Sequence, residues 1–243
     1  FDLIDNVYSE WEKFFNSEEK NNYKFDTNSQ DGFFPFRSES AKDNPIKDLK
    51  EFFHVYPNTN LPDFLSKNTN SLYCELVNLG NTLLGWLDDL TPYNIKNEFS
   101  ETLYNMSKGS DRNLLRVLHY PPVQGEAEQG AIRAAAHEDI NLITLLVSGS
   151  QPGLEAMDMN GVWHKVPVDK GMITVNVGDM LQMASNGYFP STSHRVVNPE
   201  NTKQNVSRFS LPMFMHPRNE VILRSGVTAY DYLQERLKEI RLK

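Results

Sequence analysis

Cysteine is nearly absent. The chain of 243 residues holds one, Cys74, so no intrachain disulfide can form. That suits a reducing cytoplasm and leaves stability to a packed core. Cys74 sits among leucines and reads as a small core residue. No apolar run approaches the roughly 20 residues of a transmembrane helix, and no signal peptide is visible. No Lys/Arg cluster occurs and the net charge is −8, which argues against a nucleic-acid or anionic-membrane partner. Internal repeats are lacking too. The chain opens at Phe1 rather than Met, which leaves room for an upstream segment. With 39% hydrophobic and 23% charged residues, the composition supports one large core.

Two textures divide the chain. Leu3, Ile4, Val7, Tyr8, Trp11, Phe14 and Phe15 recur at helical spacing over residues 1–16. Residues 17–45 are polar and read as a loop with an aromatic knot at Phe33, Phe34 and Phe36; the stretch 17–32 is the one candidate for disorder. Pro45 is placed to open a short helix from Lys47 to Phe53. Leu72, Leu76, Leu79, Leu83 and Leu87 predict a core-packing helix over 71–90.

After about residue 112 short β-rich segments take over: Leu114–Tyr120, Leu142–Val147, Leu154–Met157, Trp163–Val166, Ile173–Val177, Thr192–Val197 and Arg208–Met215. Turn signals such as Pro121-Pro122, Asn160-Gly161 and Asn186-Gly187 separate them, a pattern of sandwiches and barrels. A stripe of Tyr230, Leu233, Leu237 and Ile240 predicts a closing helix over Thr228–Leu242, with Thr228 and Asp231 as a capping box.

His137 and Asp139 are separated by one residue, so on a strand both point to one face while Glu138 points away. His194, on a distant segment, would complete a two-His, one-carboxylate set. That set leaves open positions on the metal and characterises non-haem Fe(II) oxygenases. A Zn²⁺ hydrolase could use the same donors. Arg208 and Ser210 share one strand face and form a second constellation, because a guanidinium fork binds a carboxylate bidentately. Tyr120 is a further candidate donor to that carboxylate. Phe214, in phase with Arg208 and Ser210, borders the same candidate pocket. Arg133 and Asn141 flank the metal ligands as candidate substrate contacts. Trp163 and His164 read as core packing, and Gly178-Asp179 reads as a turn rather than a catalytic acid.

Taken in order, several runs resemble the isopenicillin N synthase-like family of iron- and 2-oxoglutarate-dependent dioxygenases. They are Leu115-Arg116-Val117-Leu118-His119-Tyr120-Pro121-Pro122, His137-Glu138-Asp139-Ile140-Asn141-Leu142, Val175-Asn176-Val177-Gly178-Asp179, Ser193-His194-Arg195-Val196-Val197 and Arg208-Phe209-Ser210. The likeness is dense over about residues 112–220 and weak before them. It implies a mainly β protein, with a double-stranded β-helix (jelly roll) core and flanking α-helices at both ends. It divides the chain into a helical region over 1–111, the dioxygenase core over 112–220 and a C-terminal helix over 221–243. It further implies Fe(II) on His137, Asp139 and His194, with 2-oxoglutarate anchored by Arg208 and Ser210 with help from Tyr120. O2 would be the co-substrate, a small organic molecule would be hydroxylated, and succinate and CO2 would be released.

The chain departs from the family at two places. Leu118 stands where plant members commonly carry Asn, and residues 1–30 lack a Gly-Phe-x-x-x-x-Asn-His-Gly-like segment. Isopenicillin N synthase itself uses the same Arg-x-Ser on its substrate, without 2-oxoglutarate. An oxidase of that type and an ethylene-forming enzyme are therefore alternatives.

Overall fold

Phe209, Leu211, Met213 and Met215 alternate with Arg208, Ser210, Pro212 and Phe214 along one strand, and the two sets meet different surroundings. The first packs into the main hydrophobic core, and the second lines a cavity. The computed structural model describes residues 2–40, 46–123, 130–199 and 205–239. Helix α1 (Asp2–Phe15) leads through a 3₁₀ turn (Glu18–Asn22) to strands β1 (Gly32–Phe34) and β2 (Glu51–Val55). Helices α2 (Asp63–Leu90), α3 (Tyr93–Lys96) and α4 (Leu103–Ser107) follow. Next come β3 (Leu114–Tyr120), β4 (Ala134–His137), β5 (Ile143–Val147), β6 (Leu154–Met157), β7 (Trp163–Lys165) and β8 (Ile173–Val177). The chain closes with α5 (Asp179–Ala184), β9 (His194–Val196), β10 (Arg208–Met215), the hairpin β11 (Ile222–Arg224) and β12 (Val227–Thr228), and α6 (Ala229–Glu239).

Among the described residues the strands form a six-stranded sheet, β1-β2-β3-β10-β5-β8, and a four-stranded sheet, β4-β9-β6-β7. Every named ladder is antiparallel. The sheets face each other across the cavity, the jelly roll that the sequence leads one to expect, with helices at both ends. The backbone bond from Leu49 N–H to Ile132 O, at 3.0 Å, ties the approach to β2 to the approach to β4.

The outer face of the large sheet is covered by α1 and α2. Leu65, Leu76 and Leu84 of α2 join Trp11, Phe14, Phe53, Val117 and Met213 in one buried cluster. Trp11 donates its indole N–H to Thr69 Oγ1 at 3.0 Å, so even the polar atom of that ring is satisfied. A Cβ at Gly80 would stand 2.6 Å from Met215 Sδ, so a larger residue there would have to displace the Met215 side chain between α2 and β10. Truncating Leu84 to Ala should cost about 2–5 kcal/mol, since its site is fully enclosed.

Several expectations are corrected. The 47–53 segment is not a helix: Glu51–Val55 is a strand, because Phe52 faces the cavity side and Phe53 the helix layer. Pro45 lies outside the described residues. The 17–45 stretch contains strand β1, on which Phe33 and Phe34 are buried, whereas Phe36 is exposed. The 71–90 helix begins earlier, at Asp63, behind Pro62. Cys74 is exposed, on the face of α2 away from the sheet. On α6 the buried residues are Ala229 and Tyr232, whereas Tyr230 is exposed; Ile240 lies outside the described residues. The Thr228 cap does form, with Asp231 N–H donating to Thr228 Oγ1 at 3.1 Å. Gly178-Asp179 is a helix start rather than a free turn, and Tyr232 donates to Asp179 Oδ2 at 3.2 Å. His164 is exposed and paired with Asp158 at 2.8 Å, while Arg195 stacks over Trp163 at 4.1 Å, so neither ring is core.

Candidate active site

His137 ends β4 and His194 begins β9, and the two are directly opposite in the antiparallel register. Their ring centroids are 4.4 Å apart. Asp139 comes two residues later, just past the end of β4, with Oδ1 3.6 Å from His194 Nε2. One ligand atom from each of the three residues falls within 4.8 Å of the others, so the set could hold one metal ion.

The surroundings fix the donor atoms. His137 Nδ1 lies 2.7 Å from Ala135 O, and His194 Nδ1 lies 3.0 Å from Thr192 O. Each Nδ1–H is thereby donated to a carbonyl, which leaves the Nε2 lone pair free for a metal. Burial, with His194 adding to it, pushes the His137 imidazole down to about 4, so it is neutral at pH 7. Burial also pushes the Asp139 carboxyl up. His194, His137 and hydrogen bonds from Asn176 and Thr144 outweigh it and hold the group below its ordinary value.

Thr144 Oγ1 donates to Asp139 Oδ2 at 2.6 Å, and Asn176 Nδ2 donates to the same oxygen at 2.9 Å. Both are cavity-wall residues of the large sheet, paired in register. Asn141 Nδ2 in turn donates to Thr144 Oγ1 at 2.9 Å. Behind them, a Cβ at Gly178 would stand 2.3 Å from Asn141 Oδ1 and 2.8 Å from Asp139 O. Only glycine allows the metal loop to pack on the start of α5. Asp179 N–H completes that junction by donating to Asp139 O at 2.7 Å.

The same cavity is lined by Tyr120, Arg208, Ser210 and Phe214. Arg208 and Tyr120 are register partners, and the guanidinium lies 5.1 Å from the tyrosine ring centroid. Arg208 is 1% exposed and donates Nε–H to Gln151 O at 2.9 Å. Its Nη1 is buried with no partner, and no carboxylate pairs with it among the described residues. A buried guanidinium with an unused donor is expensive unless an anion completes it. Among the described residues Arg208 is therefore not part of a structural ion pair. The orphaned donor fits a ligand carboxylate, and the His/Asp/His set fits Fe(II).

Two of the sequence candidates stand apart. Asn141 is fully buried and its amide is used by Ile143 O and Thr144 Oγ1, so it positions Asp139 from behind the wall. Arg133 is 2% exposed and also off the cavity wall; Nη2–H donates to Val206 O at 2.6 Å and Nε has no partner. Burial and the nearby Arg208 push it down to about 10. Sequence reasoning missed Thr144, Asn176, Lys50 and Arg116. A polar or charged residue inside an apolar strand, as in Leu-Leu-Arg116-Val-Leu or Thr-Val-Asn176-Val, was the available signal.

A family model described as the 2OG-Fe(II) oxygenase superfamily matches residues 112–217. The crystal structure of a candidate oxygenase from Shewanella oneidensis is 49% identical, covers 100% of this chain and 87% of its own, and has a TM-score of 0.87. A candidate 2OG-Fe(II) oxygenase family protein from Caulobacter crescentus is 29% identical over 98% of this chain and 86% of its own, with a TM-score of 0.77. A 2-oxoglutarate-dependent dioxygenase from Didymella fabae is 37% identical over 115 residues, 45% of this chain and 33% of that protein. The matched stretch thus spans about a third of the length of the first curated relatives. The chain belongs to the 2OG-Fe(II) oxygenase superfamily.

Proposed function

We propose that this chain is an Fe(II)- and 2-oxoglutarate-dependent dioxygenase that oxidises, by hydroxylation, a small organic molecule, with release of succinate and CO2. The observation that carries the reading is the buried, unpartnered Nη1 of Arg208 in the same cavity as the His137, Asp139 and His194 donors. In this reading those three residues hold the iron. Arg208, Ser210 and Tyr120 anchor the distal carboxylate of 2-oxoglutarate.

Iron and 2-oxoglutarate supply the oxidising chemistry when bound with O2. The chain's own residues do the rest. Ala135 O and Thr192 O keep the histidine protons on Nδ1. Thr144 and Asn176 orient Asp139. Leu118, Leu146, Val166 and Pro212 make the wall apolar and exclude water from the reacting centre. The described part of 112–220 carries the metal and carboxylate donors. The region before it adds β1 and β2 to the large sheet and covers that sheet's outer face with α1 and α2, and α6 closes the chain. The net charge of −8 favours a small molecule over a nucleic acid as substrate, and the single cysteine suits the cytoplasm. No helix among the described residues is long and apolar enough to cross a membrane.

The test uses anaerobically purified protein given Fe(II), 2-oxoglutarate and O2, with succinate as the product measured. Substrate-free succinate formation and calorimetric binding of 2-oxoglutarate are expected. Neither turnover nor binding would overturn the reading.

A further inference from the structure

We propose that Arg116 is the substrate-recognition residue of this cavity and that the substrate it takes is a small, mainly apolar organic acid, bound through its carboxylate; this rests on the dioxygenase reading above. Arg116 lies on the inner face of β3, in the large sheet, and lines the same cavity as the metal donors, which the small sheet and the loop after β4 carry. Its guanidinium is held on several sides. Nε–H donates to His54 Nε2 at 2.9 Å, and Nη1–H donates to Glu39 Oε2 at 3.3 Å. The ring faces of Phe52 and Phe214 lie 4.7 and 5.5 Å from the guanidinium carbon. Nη2 has no partner among the described residues. The fork is therefore aimed, partly desolvated and still has donors to give.

His54 makes this orientation stable. Burial pushes its imidazole well below the ordinary value, with Arg116 adding to the effect, so it is neutral and its Nε2 can accept. Its Nδ1 faces Gln30 O at 3.1 Å, which fixes that tautomer.

Charge explains why the fork should take an anion. Lys50 lines the same cavity but is engaged by Glu39 at 2.6 Å and Asp48 at 2.9 Å. Glu39 holds Arg116 only at the longer 3.3 Å. Neither Glu39 nor Asp48 is on the cavity wall, where Asp139 is the one carboxylate. Among the described residues the cations on the wall are Lys50, Arg116 and Arg208. Lys50 is matched by Glu39 and Asp48, whereas Arg116 only shares Glu39 and keeps Nη2 for an incoming carboxylate. The wall beside Arg116, with Leu118, Pro212 and Phe214, is apolar and suits the body of such an acid.

The experiment loads the protein with Ni(II), which supports no turnover, and saturates it with 2-oxoglutarate so that Arg208 is engaged. Hexanoate and cinnamate are then titrated by saturation-transfer NMR, with hexanamide and cinnamamide as neutral probes. At least one acid is expected to bind, its amide at least tenfold more weakly. Arg116→Gln and Arg116→Leu should each weaken acid binding by about 10–100-fold, the range for a charge-assisted hydrogen bond. Arg116→Lys should recover part of the loss. With the Fe(II) protein, the acid that binds should raise succinate formation above each variant's own substrate-free rate, and the rise should vanish in Arg116→Gln. Amides binding as tightly as acids, no acid binding at all, or acids binding equally to wild type and Arg116→Gln would each overturn the proposal. The comparison of acids with amides in wild type decides the matter even if a variant fails to fold. Binding of 2-oxoglutarate is measured first: its failure sinks the dioxygenase reading, whereas its success with no acid bound sinks only the role of Arg116.

Discussion

At the metal end of the cavity, Asp139 uses one oxygen on Thr144 and Asn176, and both imidazoles use Nδ1 on backbone carbonyls. At the other end, Arg208 uses Nε on Gln151 and leaves Nη1 buried with nothing to accept its hydrogen. The metal end is thus aligned by finished hydrogen bonds that leave lone pairs facing inward. The arginine end is unfinished and completed only by an anion. The two ends should therefore fail differently. Damage at the metal end removes chemistry, and damage at the arginine end removes affinity.

The largest effect should come from Asp139→Ala or His194→Ala. Each should lower succinate formation by about a thousandfold or more, the several kcal/mol that a catalytic metal contributes. Iron content should fall with it while the thermal midpoint stays near wild type. Unfolding of both variants would instead mark a structural metal and break the contrast.

At the other end, Arg208→Leu should raise the Kd for 2-oxoglutarate by about a hundredfold, and Arg208→Lys by less, because only the guanidinium offers a fork. Calorimetry decides, and equal losses would argue against bidentate binding.

The pH response offers a third check, on a buried imidazole just past the end of β10. Burial pushes His216 down to about 4. Between about pH 6.5 and 4 the unfolded imidazole takes up a proton and the folded one does not. Stability of the metal-free protein should therefore fall as the pH drops through that window, by up to about 3 kcal/mol for this residue, and return as the pH rises. Thermal melts of His216→Leu should show a shallower slope; an unchanged slope would exclude the residue as its source.

Smaller still is Thr144→Val, which should weaken iron binding about tenfold by removing one of the two donors that hold Asp139 Oδ2. Excess iron should restore most of the activity, unlike in Asp139→Ala. Far from both ends, Cys74→Ala should change stability by less than about 0.5 kcal/mol, since the side chain is exposed.

Much of the fold was legible because period-two alternation leaves its mark locally. Leu114–Tyr120, Ile173–Val177 and Arg208–Met215 begin and end where apolar alternation and turn residues place them. Glu51–Val55 hides its strand character because Phe52 and Phe53 are both buried, one on each face, and such a run shows no alternation. The metal donors were legible because three ligands need only one strand face and a second histidine. Lys50 was not, since a lysine between Asp48 and Glu51 looks like an ordinary solvated surface until its partners are seen; Arg116 inside an apolar strand is marked as unusual, but its neighbours come from distant segments.

The donor chemistry is already present in the linear order of residues: two imidazoles, one carboxylate and an Arg-x-Ser strand, in an order that marks one superfamily. Composition and local periodicity carry that much, because ligand identity and strand phase are properties of short segments. Which polar groups are finished and which are not follows from the packing of distant strands. That packing sets His137 opposite His194, ties Thr144 and Asn176 to Asp139, leaves Arg208 without a counter-ion among the described residues and places Arg116 between two aromatic rings. Those facts depend on which distant strands become neighbours, and the desolvation that makes each unpaired group costly exists only once the sheets have closed over it.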